Sequence, residues 1–189
     1  MAKLLSINVG TPDALGSHRG KKIMSGIRKR PVSGSVIVRK LNLDGDKQAD
    51  LTVHGGLDKA VYVYPSENYP YWRKKFPEME MPRGTFGENL TTEGILESTI
   101  HIGDKLTIGS AQFEVSQPRF PCFKLGMRFG TSTMIKLFLE SLRSGFYLRV
   151  IKEGKIRAGE EITVESSDAT SETIESIVRT FIENEKANS

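Results

Sequence analysis

The segment around Cys122 holds the residue best suited to metal or redox chemistry. Cys122 is the only cysteine of the chain, and it lies in the run Gln117-Pro118-Arg119-Phe120-Pro121-Cys122-Phe123-Lys124. Arg119 and Lys124 are close in sequence, and nearby cations favour the thiolate, the form of cysteine that binds metals and attacks electrophiles. The two prolines restrict the backbone and would hold the sulfur in place. The alternative is structural, with Cys122 a small buried side chain between two phenylalanines.

Two glycine-containing loops are candidates for binding an anion. His54-Gly55-Gly56 precedes Lys59, and paired glycines let a ligand approach backbone N–H groups closely. The second loop, Arg83-Gly84-Thr85-Phe86-Gly87-Glu88-Asn89-Leu90, could present polar groups such as the Asn89 amide in a cleft. Ordinary turn chemistry explains both loops as well, because glycine and asparagine are common in turns.

Basic residues are concentrated in one part of the chain. Residues 18–40, which include Arg30, contain many Lys and Arg residues and no acid, a pattern typical of contact with phosphate, nucleotides or nucleic acid. A solvated basic loop explains the pattern equally well, and the lack of Phe, Tyr and Trp there argues against stacking of single-stranded nucleic acid. Arg149 differs because it lies in an apolar strand-like run, where it needs a ligand or a paired acid.

Composition and missing motifs exclude several classes of protein. The chain has 189 residues, of which 38% are hydrophobic and 26% charged, with a net charge of +4, which is typical of one globular domain. It has no run of about 18 apolar residues, so we predict no transmembrane helix. A single cysteine excludes an intrachain disulfide and a four-cysteine zinc site, and it favours a reducing cytoplasm. No Gly-x-Ser-x-Gly, His-Glu-x-x-His or Walker motif is present.

The hydrophobic pattern predicts that these candidates are positioned by a mainly β fold. Short apolar or alternating runs predict strands at residues 3–9, 36–41, 60–64, 105–108, 111–116, 147–152 and 161–164. Gly-Ser at 109–110 predicts a tight hairpin. Helices are predicted at 66–76, at 131–142 and at about 172–185. Many short strands with few helices indicate a β-barrel-like or α+β fold with a C-terminal helix.

A series of short motifs resembles the MOSC domain family, named for the C-terminal part of molybdenum cofactor sulfurase. The resemblance is greatest to small stand-alone bacterial members of the 6-hydroxylaminopurine reductase type, and it covers roughly residues 5–165. The segments that carry it, in the family's order, are Arg30-Pro31-Val32-x-Gly34, Leu43-Asp44-Gly45-Asp46-x-Gln48-Ala49-Asp50, His54-Gly55-Gly56-x-Asp58-Lys59-Ala60-Val61-Tyr62-x-Tyr64, Phe86-Gly87-Glu88-Asn89-Leu90, Ile102-Gly103-Asp104, Pro118-Arg119-x-Pro121-Cys122, Gly145-x-Tyr147-x-Arg149-Val150 and Gly159-Glu160.

The resemblance implies a MOSC-type β-barrel that binds a molybdenum cofactor, molybdopterin. The family's molybdenum-coordinating cysteine corresponds to Cys122, and a soft thiolate suits a redox metal. The pterin carries a phosphate. The resemblance therefore suggests that cationic and glycine residues bind this phosphate, namely Arg30, Gly55, Gly56, Lys59, Arg119 and Arg149. His54 and Asn89 are candidates for hydrogen bonds to the pterin ring.

The implied activity is reduction of N-hydroxylated small molecules, such as hydroxylaminopurines, to amines. The sequence has no ferredoxin-type cysteine set and no Rossmann fingerprint, so we expect an external electron-transfer protein to supply the electrons. Two alternatives stay open. One is a sulfur carrier that uses a Cys122 persulfide, and the other is a module that binds anions or nucleotides without redox chemistry.

The domain organisation predicted from the sequence is simple. A MOSC domain spans residues 1–165, and residues 166–189 form a linker and a helical tail. The tail is expected to cap the barrel or to form a homodimer contact. We expect a cytoplasmic protein that acts on a small molecule and contacts neither a membrane nor nucleic acid.

Overall fold

The computed structural model describes residues 1–47, 55–167 and 170–188, and seven of its strands close into a barrel. In chain order the strands are β1 (Ala2–Val9), β2 (Asp13–His18), β3 (Lys21–Ser25), β4 (Arg30–Val32), β5 (Ser35–Val38), β6 (Val61–Pro65), β7 (Leu90–Glu93), β8 (Lys105–Ile108), β9 (Ala111–Pro118), β10 (Phe146–Lys152), β11 (Gly154–Arg157) and β12 (Glu161–Glu165). The barrel order is β12–β8–β9–β10–β6–β7–β1, and β1 pairs with β12 to close it. The β6–β7 pair is parallel, and the other neighbours are antiparallel.

Strand β1 has two partners in succession along one edge. Its first residues pair with β12, where Ala2 faces Ile162, and its last residues pair with β4, where Ile7 faces Val32. Its other edge pairs with β7. The short β4 therefore extends the sheet beyond the closed barrel, while β2–β3 and β5–β11 form two separate two-stranded sheets.

Strand β6 shows how the barrel wall separates two hydrophobic clusters. Successive side chains of a strand point to opposite faces. Val61 and Val63 belong to the cluster inside the barrel, whereas Tyr62 and Tyr64 belong to an aromatic cluster on the outer face. All four are buried, which means that this part of the wall is covered on both sides.

The helices cover the outer aromatic cluster and one part of the barrel. They are α1 (Tyr69–Lys75), α2 (Phe123–Phe129), α3 (Thr133–Glu140) and α4 (Ile174–Ala187). The first three supply Trp72, Phe129 and Phe138 to the aromatic cluster. Helix α4 is capped by the Thr173 side chain, which accepts a hydrogen bond from the Ser176 N–H. Ile174 of α4 is fully buried in the barrel cluster, so this end of the predicted tail packs on the barrel.

The predicted mainly β fold with short helices and a C-terminal helix is confirmed. Each predicted strand forms at or within a few residues of its expected position, and Ile108 pairs with Ala111 across the predicted hairpin. The helix expected at 131–142 is shorter, at Thr133–Glu140, and the last helix is shifted to Ile174–Ala187. None of the described helices is long and apolar enough to cross a membrane.

Several short elements were not predicted. They are the β2–β3 hairpin, strands β4, β7 and β11, and helix α2. The helix expected at 66–76 is divided into a 3₁₀ turn at Ser66–Asn68 and helix α1. The boundary predicted between a domain at 1–165 and a tail at 166–189 stays a prediction.

Candidate functional site

A cavity with about 620 Å³ of empty space, including space that is open to solvent, lies on the outer face of the barrel wall, beside the loop that carries Cys122. Tyr62 and Tyr147, which face each other across β6 and β10, form part of its floor. Their strand neighbours Val61, Phe146 and Leu148 point into the barrel instead. The described residues that line the cavity are Ser25, Gly26, Ile27, Lys29, Lys47, Lys59, Tyr62, Phe86, Gly87, Asn89, Arg119, Cys122, Lys124 and Tyr147.

Cys122 lies between the end of β9 at Pro118 and the start of α2. Its backbone is extended, with φ −126° and ψ 172°, and its carbonyl accepts a hydrogen bond from the Leu125 N–H at 2.9 Å. The residue is half-buried and lines the cavity. The predicted position of the cysteine just beyond a strand end is therefore correct, and its role as a metal ligand stays a prediction.

Arg119 places a buried cation in the cavity wall. The residue is 6% exposed, and its Nη1 has no hydrogen-bond partner in the part of the chain that the structure describes. The guanidinium lies over the rings of Tyr62 and Phe138, at 5.6 and 5.0 Å from their centroids, which is attractive for a cation. It also hydrogen-bonds Tyr147. Burying a donor without a partner is costly, so this geometry suits an anion placed against Nη1.

The charge of the cavity lining has one sign. Lys29, Lys47, Lys59, Arg119 and Lys124 line it, and no Asp or Glu is among the described lining residues. The Lys29 Nζ pairs with the carboxylate of Asp46, and both side chains are buried. Burial lowers the pKa of Lys29, while Asp46 opposes that shift. The cavity is thus prepared for an anionic ligand.

Asn89 and Asp46 tie the chain segments around the cavity together. The Asn89 side chain accepts a hydrogen bond from the Tyr62 N–H and donates to Asp46 Oδ2 at 2.9 Å. Asp46 Oδ1 also accepts from the Gly10 N–H at 2.8 Å. Asn89 therefore holds the wall through hydrogen bonds within the protein, and its predicted bond to a pterin ring stays a prediction.

Glu88 is a buried carboxylate that holds the loop before Asn89. Its Oε1 accepts hydrogen bonds from the Gly84 N–H at 2.7 Å and from the Tyr69 and Thr91 hydroxyls, and its Oε2 accepts from the Phe86 N–H at 3.1 Å. Burial raises its pKa, although these donors oppose the shift. The loop at residues 83–90, which was predicted to present polar groups in a cleft, is thus partly structural. Its Glu88 carboxylate is buried in the protein and does not line the cavity.

The remaining predicted ligands lie outside the cavity lining. Arg149 is paired with Asp58 and with Glu114, at 2.6 and 2.7 Å, which satisfies the requirement for a paired acid. Arg30 is exposed on β4, and Gly55 and Gly56 do not line the cavity. His54 lies outside the described residues. A cofactor role for these residues stays a prediction without geometric support.

Sequence reasoning did not select the tyrosines and three of the lysines that line the cavity. Tyr62 is buried and Tyr147 is half-buried in their strands, where the surrounding apolar pattern indicates a core. Lys29 and Lys47 are distant from Cys122 in sequence, and only folding brings them to the cavity. Lys124 was recognised as a neighbour of Cys122 in sequence but not as a ligand.

The described residues do not form a complete protein metal site. No group of three or more His, Cys, Asp or Glu side chains lies close enough to hold a metal ion in residues 1–47, 55–167 and 170–188. What they offer is one thiol, that of Cys122, within a cationic cavity. Such a site suits a metal that brings most of its ligands with it.

Sequence comparison supports a specific family. A family model described as MOSC domain matches residues 50–163. YflK of Bacillus subtilis strain 168 is 45% identical over 156 residues, which cover 82% of this chain and 70% of YflK. YiiM of Escherichia coli K12 is 41% identical over 150 residues, which cover 77% of this chain and 67% of YiiM. A protein of Gibberella moniliformis named Reductase is 36% identical over 148 residues, which cover 77% of this chain and 26% of that protein.

Comparison with solved structures gives the same result. The crystal structure of YiiM from Geobacillus stearothermophilus is similar with a TM-score of 0.78 and 32% identity, and the match covers 96% of this chain and 84% of that one. The crystal structure of YiiM from Escherichia coli has a TM-score of 0.72 and 30% identity, covering 94% and 76% of the two chains.

Proposed function

This chain belongs to the MOSC domain family, and we propose that it binds a molybdenum–pterin cofactor in the Cys122 cavity and reduces N-hydroxylated small molecules to amines. Arg119 carries the proposal. Its Nη1 is buried and without a partner among the described residues, and Arg119 lines a cavity that also contains the only thiol of the chain. An anionic cofactor with a metal that binds thiolate would satisfy both groups.

The residues present fit such a cofactor in three respects. Cys122 offers one soft ligand, and the missing ligands would come from the cofactor itself. The described lining has cations and no acids, which matches a phosphate-bearing ligand. At Gly87, φ is +83° and a Cβ would lie 2.9 Å from Ile27 Cγ1, so glycine lets the two segments that carry these lining residues pack closely.

Each of these groups has a defined task when the cofactor binds. The Cys122 thiolate would coordinate the metal. Arg119 would donate through Nη1 to an anionic group. The Tyr62 and Phe138 rings would hold its guanidinium in position against the wall. Asp46 would keep the Lys29 ammonium in place at the cavity edge. Because these positions are fixed in advance by buried contacts, little reorganisation accompanies binding.

The proposed reaction consumes two electrons and two protons: R–NHOH + 2 e⁻ + 2 H⁺ → R–NH₂ + H₂O. When bound, the cofactor supplies the two-electron redox chemistry at the N–O bond, and the protein supplies binding and orientation. The electrons would come from an external electron-transfer protein, in the cytoplasm. One fungal relative is named Reductase, which is consistent with an oxidoreductase role.

The direct test is turnover with a small electron donor. Protein purified from a host that makes the molybdenum cofactor is incubated with 6-hydroxylaminopurine and reduced methyl viologen, and the amine is quantified by chromatography. We expect amine formation by the wild type and none by Cys122→Ser. Turnover without any sulfur donor would favour the reductase over a sulfur carrier. No amine from wild-type protein that contains metal and pterin would contradict the proposed reaction.

A further inference from the structure

A cationic hairpin tip lies beside the cysteine loop. His18, the last residue of β2, stacks its ring on Phe123 with the centroids 4.9 Å apart. Lys21 is the cross-strand partner of His18, and β2 packs against α2. The tip is therefore held next to the residue that follows Cys122 in the chain.

The positive charge at this tip is not balanced by neighbouring acids. Arg19, Lys21 and Lys22 are exposed, and residues 14–43 contain no Asp or Glu. None of the three forms an ion pair with any residue that the structure describes. The tip thus presents a compact area of one sign to solvent.

Exposed aromatic side chains lie on both sides of the cysteine. Phe120 is 40% exposed and Phe123 is 39% exposed, and only Pro121 and Cys122 separate them in the chain. Aromatic residues are enriched in protein interfaces, and a charged rim around an apolar centre is typical of them. Phe123 and the hairpin tip together form such a surface beside Cys122, and on the other side of the cysteine the Phe120 ring packs on Phe181 of α4 with the centroids 4.7 Å apart.

We infer that this rim patch, formed by His18, Arg19, Lys21, Lys22, Phe120 and Phe123, docks an acidic electron-transfer protein. This role rests on the proposed function, which requires electrons to reach the Cys122 site from outside. Complementary charge would steer an acidic donor to the patch, and a small contact area suits a brief redox encounter. A nucleic acid backbone lies along an extended stripe of basic residues, whereas the rim patch is a compact cluster of a few cations. A protein partner is therefore favoured over a nucleic acid.

The first experiment measures docking without any cofactor. The chain is titrated with an acidic bacterial flavodoxin by calorimetry at about 20 mM and about 300 mM salt. We expect binding at low salt that weakens about tenfold or more at high salt, and a similar loss in the triple variant R19E/K21E/K22E. The matched control K3E/K152E/K155E makes the same charge change at exposed positions outside the cavity lining and should retain wild-type affinity.

The second experiment separates failure of docking from failure of the proposed function. Reduction of 6-hydroxylaminopurine is measured with reduced flavodoxin and, separately, with reduced methyl viologen. We expect R19E/K21E/K22E to lower the flavodoxin-driven rate about tenfold and to leave the viologen-driven rate unchanged. If viologen supports turnover but the triple variant binds flavodoxin like the wild type, the docking role is overturned.

Two other outcomes are equally decisive. If viologen supports no turnover while charge-dependent flavodoxin binding persists, the proposed reaction fails and the docking surface is retained. If a single-stranded RNA oligonucleotide binds more tightly than flavodoxin and the same triple variant abolishes that binding, the rim patch is a nucleic-acid surface and the inference is overturned.

Discussion

Arg119 shows how a single side chain can indicate a ligand. A buried guanidinium with an unpartnered nitrogen costs free energy in the folded protein unless something binds it. No carboxylate lies within 4.0 Å of Arg119 in the described part of the chain, whereas Arg149 is paired with two acids. Arg149 is therefore satisfied by ion pairs within the protein, whereas Arg119 keeps a buried donor that suits an anionic ligand.

The first prediction concerns Arg119→Met. This change removes the uncompensated buried charge but keeps apolar packing against Tyr62 and Phe138, so the unfolding free energy of the cofactor-free protein should stay the same or rise. Pterin retention should fall at least about tenfold, since a charge-assisted hydrogen bond is worth about 1.5–3 kcal/mol. Urea denaturation and pterin fluorescence measure the two effects, with the exposed Arg39→Met as control. Clear destabilisation with normal pterin retention would show that Arg119 is structural.

The sequence was most informative where a residue lies in a segment that resembles the MOSC family. Cys122, Arg119, Lys59 and Asn89 were all selected from the sequence, and all four line the cavity. Lys29 could not be selected, because nothing local distinguishes it from the other basic residues in 18–40. Its proximity to the site depends on a buried contact with Asp46 that only the fold creates.

At the scale of elements, the strands and the helix that were not predicted from the sequence lack a clear periodic pattern of hydrophobic residues. The β2–β3 hairpin is mostly exposed and basic, so it has no buried face to detect. Strand β7 is buried, but its residues Leu90–Glu93 include two buried threonines that hide the alternation. Helix α2 has seven residues with Gly126 in its middle, which is too short and too poor in helix propensity to identify from sequence.

Gly145, at the start of β10, links two elements of the site. Its N–H donates to the buried Glu97 carboxylate at 2.8 Å, and its carbonyl accepts from the Arg119 N–H at 3.3 Å. Its φ is +61°, and a Cβ there would lie 2.4 Å from the Val63 carbonyl oxygen. No L-residue fits this position without moving the strand.

The second prediction compares two glycines of similar backbone. At Gly130, φ is +69° and a Cβ would lie more than 4 Å from the other described residues apart from its chain neighbours, so Gly130→Ala should cost only the left-handed strain of about 1–2 kcal/mol. Gly145→Ala adds a backbone clash and should cost at least about 2 kcal/mol more. Denaturant unfolding measures both variants. Equal losses would mean that the strand adjusts freely, and the rigid placement of Arg119 would then be wrong.

At the scale of the whole molecule, the strand order brings the site together. Gly10, Lys29 and Asn89 all contact Asp46, and Arg119 lines the same cavity, because β9, β10, β6, β7, β1 and β4 follow one another in one sheet. Six of the seven barrel strands were predicted from short apolar or alternating runs, but their order around the wall was not. The order depends on pairings between residues far apart in the chain, such as Lys3 with Glu161, which leave no local signal.

The third prediction concerns the pH dependence of global stability. Burial raises the pKa of Glu97 and of Glu88 in the folded protein. The folded state therefore keeps these protons at pH values where the unfolded state has lost them. Their contribution to stability is fully present below the unfolded pKa and is lost as pH rises through the folded pKa. The unfolding free energy should thus decrease as the pH rises above the ordinary glutamate pKa of about 4.5.

Glu97→Gln tests this dependence directly. A glutamine oxygen can still accept from the Asn68 side chain and the Gly145 N–H, and the side chain no longer titrates. The slope of unfolding free energy against pH should become shallower, by at most about 1.4 kcal/mol per pH unit for one proton. Urea titrations at several pH values measure the slopes of both proteins. Identical slopes would contradict the assignment of this titration to Glu97.

The measurement that tests the central claim most directly is molybdenum and pterin content per chain. Wild type and Cys122→Ser are purified from a host that makes the cofactor, and metal is measured by mass spectrometry and pterin by fluorescence. We predict near-stoichiometric metal and pterin in the wild type and loss of metal in the variant, which should stay folded because Cys122 is half-exposed. No pterin in either protein, even after incubation with free cofactor, would contradict the account.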